Sequence, residues 1–343
     1  MEQQILVTGG TGYIGSHTVV ELQKAGFDVI IIDNLSNSKI EVLDRIKEIT
    51  GIKPKFELID LTDKLAVNDF FEKYKEIDAV IHFAALKAVG ESVEKPLLYY
   101  KNNLLGLVNL LEAMLSHKKS NLVFSSSCSV YGEPDKFPVK ENSPIKKAES
   151  PYGNTKKIAE EIIIDTANAN KGKFEAISLR YFNPIGAHES GLIGELPLGI
   201  PANLVPYVTQ TAIGLREQIM VYGNDYETAD GTGVRDYIHI VDLAKAHIAA
   251  VKLMIEKKNK SNIEIFNLGT GKGTSVLEII STFESVNKIK LNYKIVGRRP
   301  GDVAKVWADT RRANEELCWR AEKTLEDALS SAWKWEKNYR GVI

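Results

Sequence analysis

The sequence predicts an α/β protein, a doubly wound parallel sheet carried mainly by the first half and joined to a smaller α/β domain. Three observations predict it. Across residues 1–180, short β-branched runs alternate with longer stretches of helical periodicity, as in parallel sheets linked by crossover helices. The first run, Ile5-Leu6-Val7, passes straight into a glycine turn and then a helical stretch. After Asn183 the texture changes to a Gly/Pro-rich stretch from Pro184 to Pro201, then shorter mixed elements and a glycine-dense loop from Gly223 to Gly233.

Taken in order, strands are expected at Gln4 to Thr8, Asp28 to Asp33, Lys55 to Leu58, Ala79 to Phe83, Asn121 to Ser125 and Glu175 to Arg180. Between them Gly15 to Lys24, Leu104 to His117 and Lys156 to Asn168 carry helical periodicity. The expected division is residues 1–183 for the sheet domain and residues 184–343 mainly for the smaller one, with the chain free to cross back. No internal repeat, coiled-coil heptad or low-complexity tail interrupts this plan.

With 343 residues the chain is long enough to bury two cores. Hydrophobic residues make up 44% and charged residues 26%, and Lys+Arg 44 against Asp+Glu 45 leaves no net field to attract nucleic acid or a membrane surface. Cys128 and Cys318 are the only cysteines, too few for a disulfide framework or a multi-cysteine metal site, so a reduced, cytoplasmic setting is expected. His17, His82, His117, His188, His239 and His247 show no ligand spacing, and no metal is expected. No apolar stretch approaches the roughly 20 residues that span a bilayer. The N-terminal residues lack the basic-apolar-small order of a signal peptide.

The first strand leads into Gly9-Gly10-Thr11-Gly12-Tyr13-Ile14-Gly15, in which Gly9, Gly12 and Gly15 follow a G-x-x-G-x-x-G spacing. Missing side chains there let the backbone and a helix N-terminus approach a pyrophosphate, so a Rossmann-type dinucleotide site is expected. Asp33 ends the second strand, placed to accept from a ribose diol and to repel a 2′-phosphate, which favours NAD over NADP. Asp60 follows the third strand, where it can either meet the adenine end of a cofactor or cap a helix. His82-Phe83-Ala84-Ala85-Leu86-Lys87 ends the fourth strand at the edge where ligands of open α/β sheets collect. Small Ala84 and Ala85 permit close packing on a ribose, and Lys87 can donate to its hydroxyls.

Ser150-Pro151-Tyr152-Gly153-Asn154-Thr155-Lys156 places a phenol and an ammonium four residues apart. Pro151 favours the first turn of a helix, which puts Tyr152 and Lys156 on one face. A nearby ammonium favours the phenolate, making Tyr152 a candidate base for an alcohol proton. Taken alone, such a pair is ordinarily a solvated helix face.

Together, the glycine loop, Asp33, the cluster Ser125-Ser126-Ser127 and the Tyr152/Lys156 pair resemble the extended short-chain dehydrogenase/reductase family in order and spacing. Four further runs, residues 12–17, 82–92, 180–187 and 231–239, are similar to its nucleotide-sugar 4-epimerases. The resemblance covers essentially the whole chain. It implies the base at Tyr152, the activating cation at Lys156, a shared hydrogen bond to the reacting hydroxyl from Ser127, and support of the lysine by Asn102. Phe83, Ala84 and Lys87 are implied cofactor neighbours, and Tyr13, Ile14, Asn34, Leu61, Ala85, Ser125, Tyr181 and Phe182 complete that expected set. Asn183, Asn203, Leu204, Tyr222, Arg235, Tyr237, Arg299 and Asp302 are implied to hold a uridine diphosphate, with Lys87, Ser127 and Tyr152 also facing substrate. The residue types suit that role, since Arg235 and Arg299 can fork onto phosphate oxygens, Tyr222 offers a ring to uracil, and Asp302 can accept from a ribose hydroxyl.

The implied reaction removes the C4 hydride of a UDP-hexose to tightly bound NAD, turns the 4-keto sugar over, and returns the hydride to its other face. Residues 1–183 would then bind NAD and residues 184–343 mainly the UDP-sugar. Val306 lies at the family position beside the sugar, where a tyrosine restricts the pocket, so acceptance of UDP-N-acetylhexosamines is expected too. A 4,6-dehydratase is the nearest rival, but Cys128 and Ser129 follow Ser127 where an Asp-Glu pair would be needed. A nucleotide-sensing protein without catalysis is the rival from another class, and the joint presence of Ser127, Tyr152 and Lys156 argues against it. The resemblance also implies a homodimer, paired through helices that include Leu104 to Leu115.

Overall fold

The computed structural model describes residues 3–299 and 302–342. Seven strands form the main sheet in the order Ile263–Leu268, Glu175–Tyr181, Asn121–Ser127, Ile77–His82, Gln4–Thr8, Asp28–Asp33, Lys55–Leu58. Every neighbouring pair is parallel. The chain starts at Gln4–Thr8, steps outward to Lys55–Leu58, then crosses back to Ile77–His82 on the other side of its starting strand. Ligands of open α/β sheets bind at such a reversal, outside the strands' carboxyl ends.

Successive side chains of a strand point to opposite faces, so both faces of this sheet need an apolar cover. Ile5, Val7, Val29, Ile31, Ile81 and Val123 enter one core with the helices Tyr13–Lys24 and Ile240–Ile255. Leu6, Ile30, Ile32, Val80, Leu122 and Phe124 enter the other with Lys64–Lys73, Gly106–Ser116 and Pro151–Ala169. This two-sided burial explains why the strands read as continuous apolar runs rather than alternating ones.

Several boundaries differ from expectation, and the differences shape the site. The fourth strand is Ile77–His82, and Phe83 already lies beyond it with its N–H on the Thr8 carbonyl at 3.0 Å. The fifth strand runs past Ser125 to Ser127, which pairs in register with Tyr181. A helix was expected to begin at Leu104; instead a π-helical turn, Lys101–Leu105, precedes Gly106–Ser116. Periodicity alone marks this helix from Lys156, but it starts at Pro151, as that proline led us to expect, with Ser150 accepting from the Gly153 N–H at 3.2 Å as its cap.

The second half has its own core, built from Val205, Val208, Phe283 and Leu329 on the helices Leu204–Ala212, Val276–Asn287 and Leu325–Arg340. Strand pairings here are short: Asn183–Ile185 with Tyr237–His239, Ile219–Tyr222 with Tyr293–Val296, and Val234–Arg235 between Thr274–Ser275 and Lys305–Val306. Runs of two to four residues carry too little alternation to be legible in sequence. The chain also returns to the first sheet, where Ile240–Ile255 packs on Tyr13–Lys24 and Ile263–Leu268 pairs with Glu175–Tyr181. Among the described residues, no helix is long and apolar enough to cross a membrane.

Candidate active site

At the reversal, Gly9 takes φ +71°, and a Cβ there would meet the Ala84 backbone nitrogen at 2.7 Å. A side chain at Gly15 would collide with the Gly9 carbonyl oxygen. The turn is therefore closed by absent side chains, with the Gly12 N–H on the Gly9 carbonyl at 3.1 Å. Tyr13 and Ile14 open the helix, whose first residue follows Gly12 without any side-chain cap. Its leading N–H groups are thus available to an anion, which fits the pyrophosphate of NAD.

Asp33 is buried at the end of its strand, where one oxygen accepts from Leu35 N (2.8 Å) and Ser38 Oγ (3.2 Å) and the other from Thr11 N (3.2 Å). It ties the glycine turn to the following loop while its edge faces the cavity. Asn34 donates to Asp60 at 3.0 Å, and Asp60 also accepts from Thr62 N and Oγ1 at 2.8 and 2.7 Å. The helix cap is Asp63 instead, accepting from Leu65 and Ala66. Leu61 is buried beside Gly106. Phe83 rests on His247 with ring centroids 4.7 Å apart, and Ala84 and Ala85 continue the wall. Lys87 reaches over Tyr13 and pairs with Glu195 at 3.1 Å.

Ser127 is the last residue of its strand and accepts from the Ser129 N–H at 3.2 Å, turning the chain into Cys128–Tyr131. Tyr152 faces it from the first turn of the helix Pro151–Ala169. Burial pushes the Tyr152 phenol up to about 12, the Cys128 charge adds to the rise, and a hydrogen bond with Ser127 opposes it. Burial brings the Lys156 ammonium down to about 8. The net shift of Tyr152 is thus upward, opposite to the lowering that a nearby ammonium leads one to expect, and burial is its largest cause. Lys156 Nζ donates to the Ser125 carbonyl at 2.6 Å and lies 4.9 Å over the Phe124 ring.

Asn102, expected to support Lys156, instead donates to Asn103 at 3.0 Å. Asn103 is the buried amide, donating to the Leu86 carbonyl (3.0 Å) and Thr155 Oγ1 (3.1 Å) and accepting from Leu86 N (2.8 Å). It pins the Phe83–Lys87 segment to the Tyr152 helix, and the π-helical turn is what aims it there. Ser125 Oγ bonds to the Tyr181 hydroxyl, and Phe182 follows in the same wall. Behind them the buried Arg180–Glu160 pair, 2.5 Å apart, holds Ser126 and Tyr131 as well.

On the other side, Asn203 precedes Leu204 at the start of a helix and donates to Glu195 at 2.6 Å. Tyr222 ends its strand with the Arg299 guanidinium 5.5 Å over its ring, and Arg299 forks onto Asp302 at 3.1 and 2.8 Å. Pro300 and Gly301, between them, lie outside the described residues. Asn183 pairs with Tyr237, whose phenol burial pushes up to about 12. Arg235 pairs in register with Val306, and Val306 belongs to a buried cluster with Val130, Tyr131 and Phe182, against which Cys128 packs. Trp307, next in the chain, stacks on Phe137 at 4.9 Å.

The site residues expected from the sequence all line one cavity of about 2400 Å³. That is well beyond the ~300–1,000 Å³ of a single small-ligand pocket and has room for a dinucleotide and a nucleotide sugar together. Two residues that sequence reasoning passed over help to build it. Glu195 joins Lys87 to Asn203, and buried Asp236 accepts from Thr270, Gly271 and Ala308, fixing the strands that present Arg235 and Val306. Glu195 carries no local motif, and Asp236 lies within the run 231–239, where the flanking Arg235 and Tyr237 drew the attention.

A family model described as GDP-mannose 4,6 dehydratase matches residues 6–332. The UDP-glucose 4-epimerase of Haemophilus influenzae is 51% identical over 334 residues, covering 97% of both chains. The chain belongs to the UDP-glucose 4-epimerase family. It is an NAD-dependent isomerase of UDP-hexoses. The UDP-glucose 4-epimerase of Stenotrophomonas maltophila, solved with NAD and formylated UDP-arabinopyranose, is 45% identical with a TM-score of 0.96 over all of both chains. That of Bifidobacterium longum, solved with NAD+ and UDP, is 46% identical with a TM-score of 0.94, covering 99% of this chain and 100% of its own. An elimination of the 4,6-dehydratase kind needs a carboxylic acid and base after Ser127. Cys128 and Ser129 stand there, and burial holds the Cys128 thiol up at about 11.

Proposed function

We propose that Ser127, Tyr152 and Lys156 invert C4 of a UDP-hexose whose diphosphate is held by Arg235 and Arg299. The observation that carries this is the single cavity joining the glycine turn to both arginines, with Tyr152 and Ser127 on the wall between. NAD, when bound, supplies the acceptor and returning donor of the C4 hydride and carries a positive ring charge, chemistry beyond any side chain. Tyr152 takes the O4 proton and later gives it back, with Ser127 sharing the hydrogen bond. A phenol held near 12 releases its proton more readily as positive charge gathers beside it, and Lys156 contributes that charge while protonated. Arg235 and Arg299 keep the nucleotide anchored while the oxidised sugar turns over.

The glycine turn, Asp33 and the Phe83–Lys87 segment form the NAD side, in residues 1–183, and residues 184–343 supply most of the UDP-sugar side. Val306 leaves space beside the sugar, so UDP-N-acetylglucosamine and UDP-N-acetylgalactosamine are substrates as well. Two copies associate through the region of Leu104 to Leu115, where the helical stretch just before it exposes Leu97 at 81% and Leu98 at 45%. Free Cys128 and Cys318 suit the reducing cytoplasm.

The deciding experiment incubates the pure protein with UDP-galactose and resolves the C4 epimers. Interconversion with no net NADH release supports the reading. A folded Tyr152→Phe protein that kept near-normal turnover would overturn the assignment of the base.

A further inference from the structure

The C-terminal helix Leu325–Arg340 joins two walls of the cavity that are remote in sequence. One flank of it holds the segment before Glu195: Lys334 donates to the Glu189 carbonyl at 2.7 Å, Asn338 to Gly191 at 3.2 Å, and Trp335 to Glu195 at 3.1 Å. Its last turn reaches the loop after Asp33. Lys39 Nζ donates to the Tyr339 hydroxyl at 3.0 Å and lies 5.7 Å from that ring's centroid. Lys39 follows Ser38, whose hydroxyl bonds to Asp33 at 3.2 Å and to Thr11 at 2.7 Å. Trp335 packs beside Tyr339 at 5.1 Å, and Ser38, Lys39 and Tyr339 all line the cavity.

We propose that Tyr339 is a positioning residue for the cofactor: through Lys39 it latches the loop that carries Ser38 over the adenosine end and so slows the escape of NAD. The proposal rests on the reading of Asp33 as the partner of the adenosine ribose. Tyr339 is 37% exposed, so its pairing contributes little to global stability. Its consequence comes from location, because opening this contact frees the loop that Asp33 and Ser38 share. An enzyme that regenerates its cofactor in every cycle gains from a slow exit, and the latch acts on exit alone.

The test measures NAD release after dilution of the loaded protein, alongside kcat and KM for UDP-galactose in excess NAD and the melting temperature. Tyr339→Ala and Lys39→Met should each release NAD about fivefold faster, the size expected for one lost hydrogen bond, with Tyr339→Phe in between. In excess NAD, kcat and KM should match the unaltered protein. Unchanged release in the Tyr339 and Lys39 variants overturns the latch, as does faster release accompanied by an equal rise in KM for UDP-galactose, which would mark a general loosening. An Asp33→Ala protein separates the two readings. If it loses NAD while the Tyr339 variants do not, only the latch fails, and if it too holds NAD normally, the adenosine-end reading fails with it.

Discussion

The Lys156 ammonium lies 2.6 Å from the carbonyl oxygen of Ser125, on the strand whose last residue is Ser127. This contact fixes the cation against the sheet one turn below Tyr152. Burial brings Lys156 to about 8, so most of its charge is present at pH 7 and is lost as pH rises through that value. Turnover should therefore decline above pH 8 as the positive charge that favours the phenolate disappears. Lys156→Arg, which stays charged throughout, should remove that decline at a lower overall rate, and Lys156→Met should lower kcat by about 10²-fold or more. A pH profile of the unaltered enzyme that stays flat to pH 10 would show that Lys156 does not act through its charge.

The glycine turn and the Tyr152 helix were legible because each has a local signature. Gly9, Gly12 and Gly15 sit at fixed offsets after an apolar strand, and Pro151 announces the helix start that puts Tyr152 and Lys156 on one face. Asn103 was not legible, since only the π-helical turn at Lys101–Leu105 turns it inward in place of Asn102. The roles of Asp236 and Glu195 were hidden for a related reason: each reaches a partner far away in sequence, at Thr270 and Ala308 for one and Lys87 for the other. The direction of the Tyr152 shift was misjudged because spacing reports which charges are near and not how much water burial removes.

Val306 stands opposite Arg235, in the buried cluster that holds Phe182 and that Cys128 packs against. Enlarging it to tyrosine should close the space beside the sugar while leaving the nucleotide anchors in place. We expect Val306→Tyr to lower kcat/KM for UDP-N-acetylgalactosamine by at least about tenfold, the scale on which pockets discriminate by steric fit. UDP-galactose turnover should fall far less. Overpacking at a buried site costs about 1–3 kcal/mol, so a melting curve must accompany the kinetics. Equal effects on both substrates would sink the assignment of Val306 as the gate.

Acid should destabilise the fold earlier than its carboxylates require. Burial lowers His17, His82 and His239 to about 3 and His247 to about 4. Unfolding restores their ordinary affinity for protons near 6.5, so below that pH the unfolded chain binds more protons and stability falls as pH drops. Each such histidine removes roughly 1.4 kcal/mol per pH unit until its folded value is reached. Denaturant midpoints should drop between pH 7 and pH 5, and His247→Gln should make that slope shallower. A midpoint constant over this window would mean the rings are already reachable by solvent in the folded protein.

Gly12 and Gly15 share a motif but not a steric limit. A methyl group at Gly15 would run into the Gly9 carbonyl oxygen and the Gly10 backbone, neither of which can move without opening the turn. At Gly12 the nearest atom to an added Cβ is that same carbonyl at 3.2 Å, a contact that small shifts relieve. Gly15→Ala should therefore lower both the melting temperature and NAD affinity, because it separates helix from strand. Gly12→Ala should fold normally and weaken NAD binding more mildly, by crowding the approach to the uncapped N–H groups of the helix. Calorimetric NAD titration and thermal melts of the two variants check this order. The reverse order would mean that crowding of the phosphates at Gly12, rather than the close packing of strand and helix at Gly15, governs the binding of NAD.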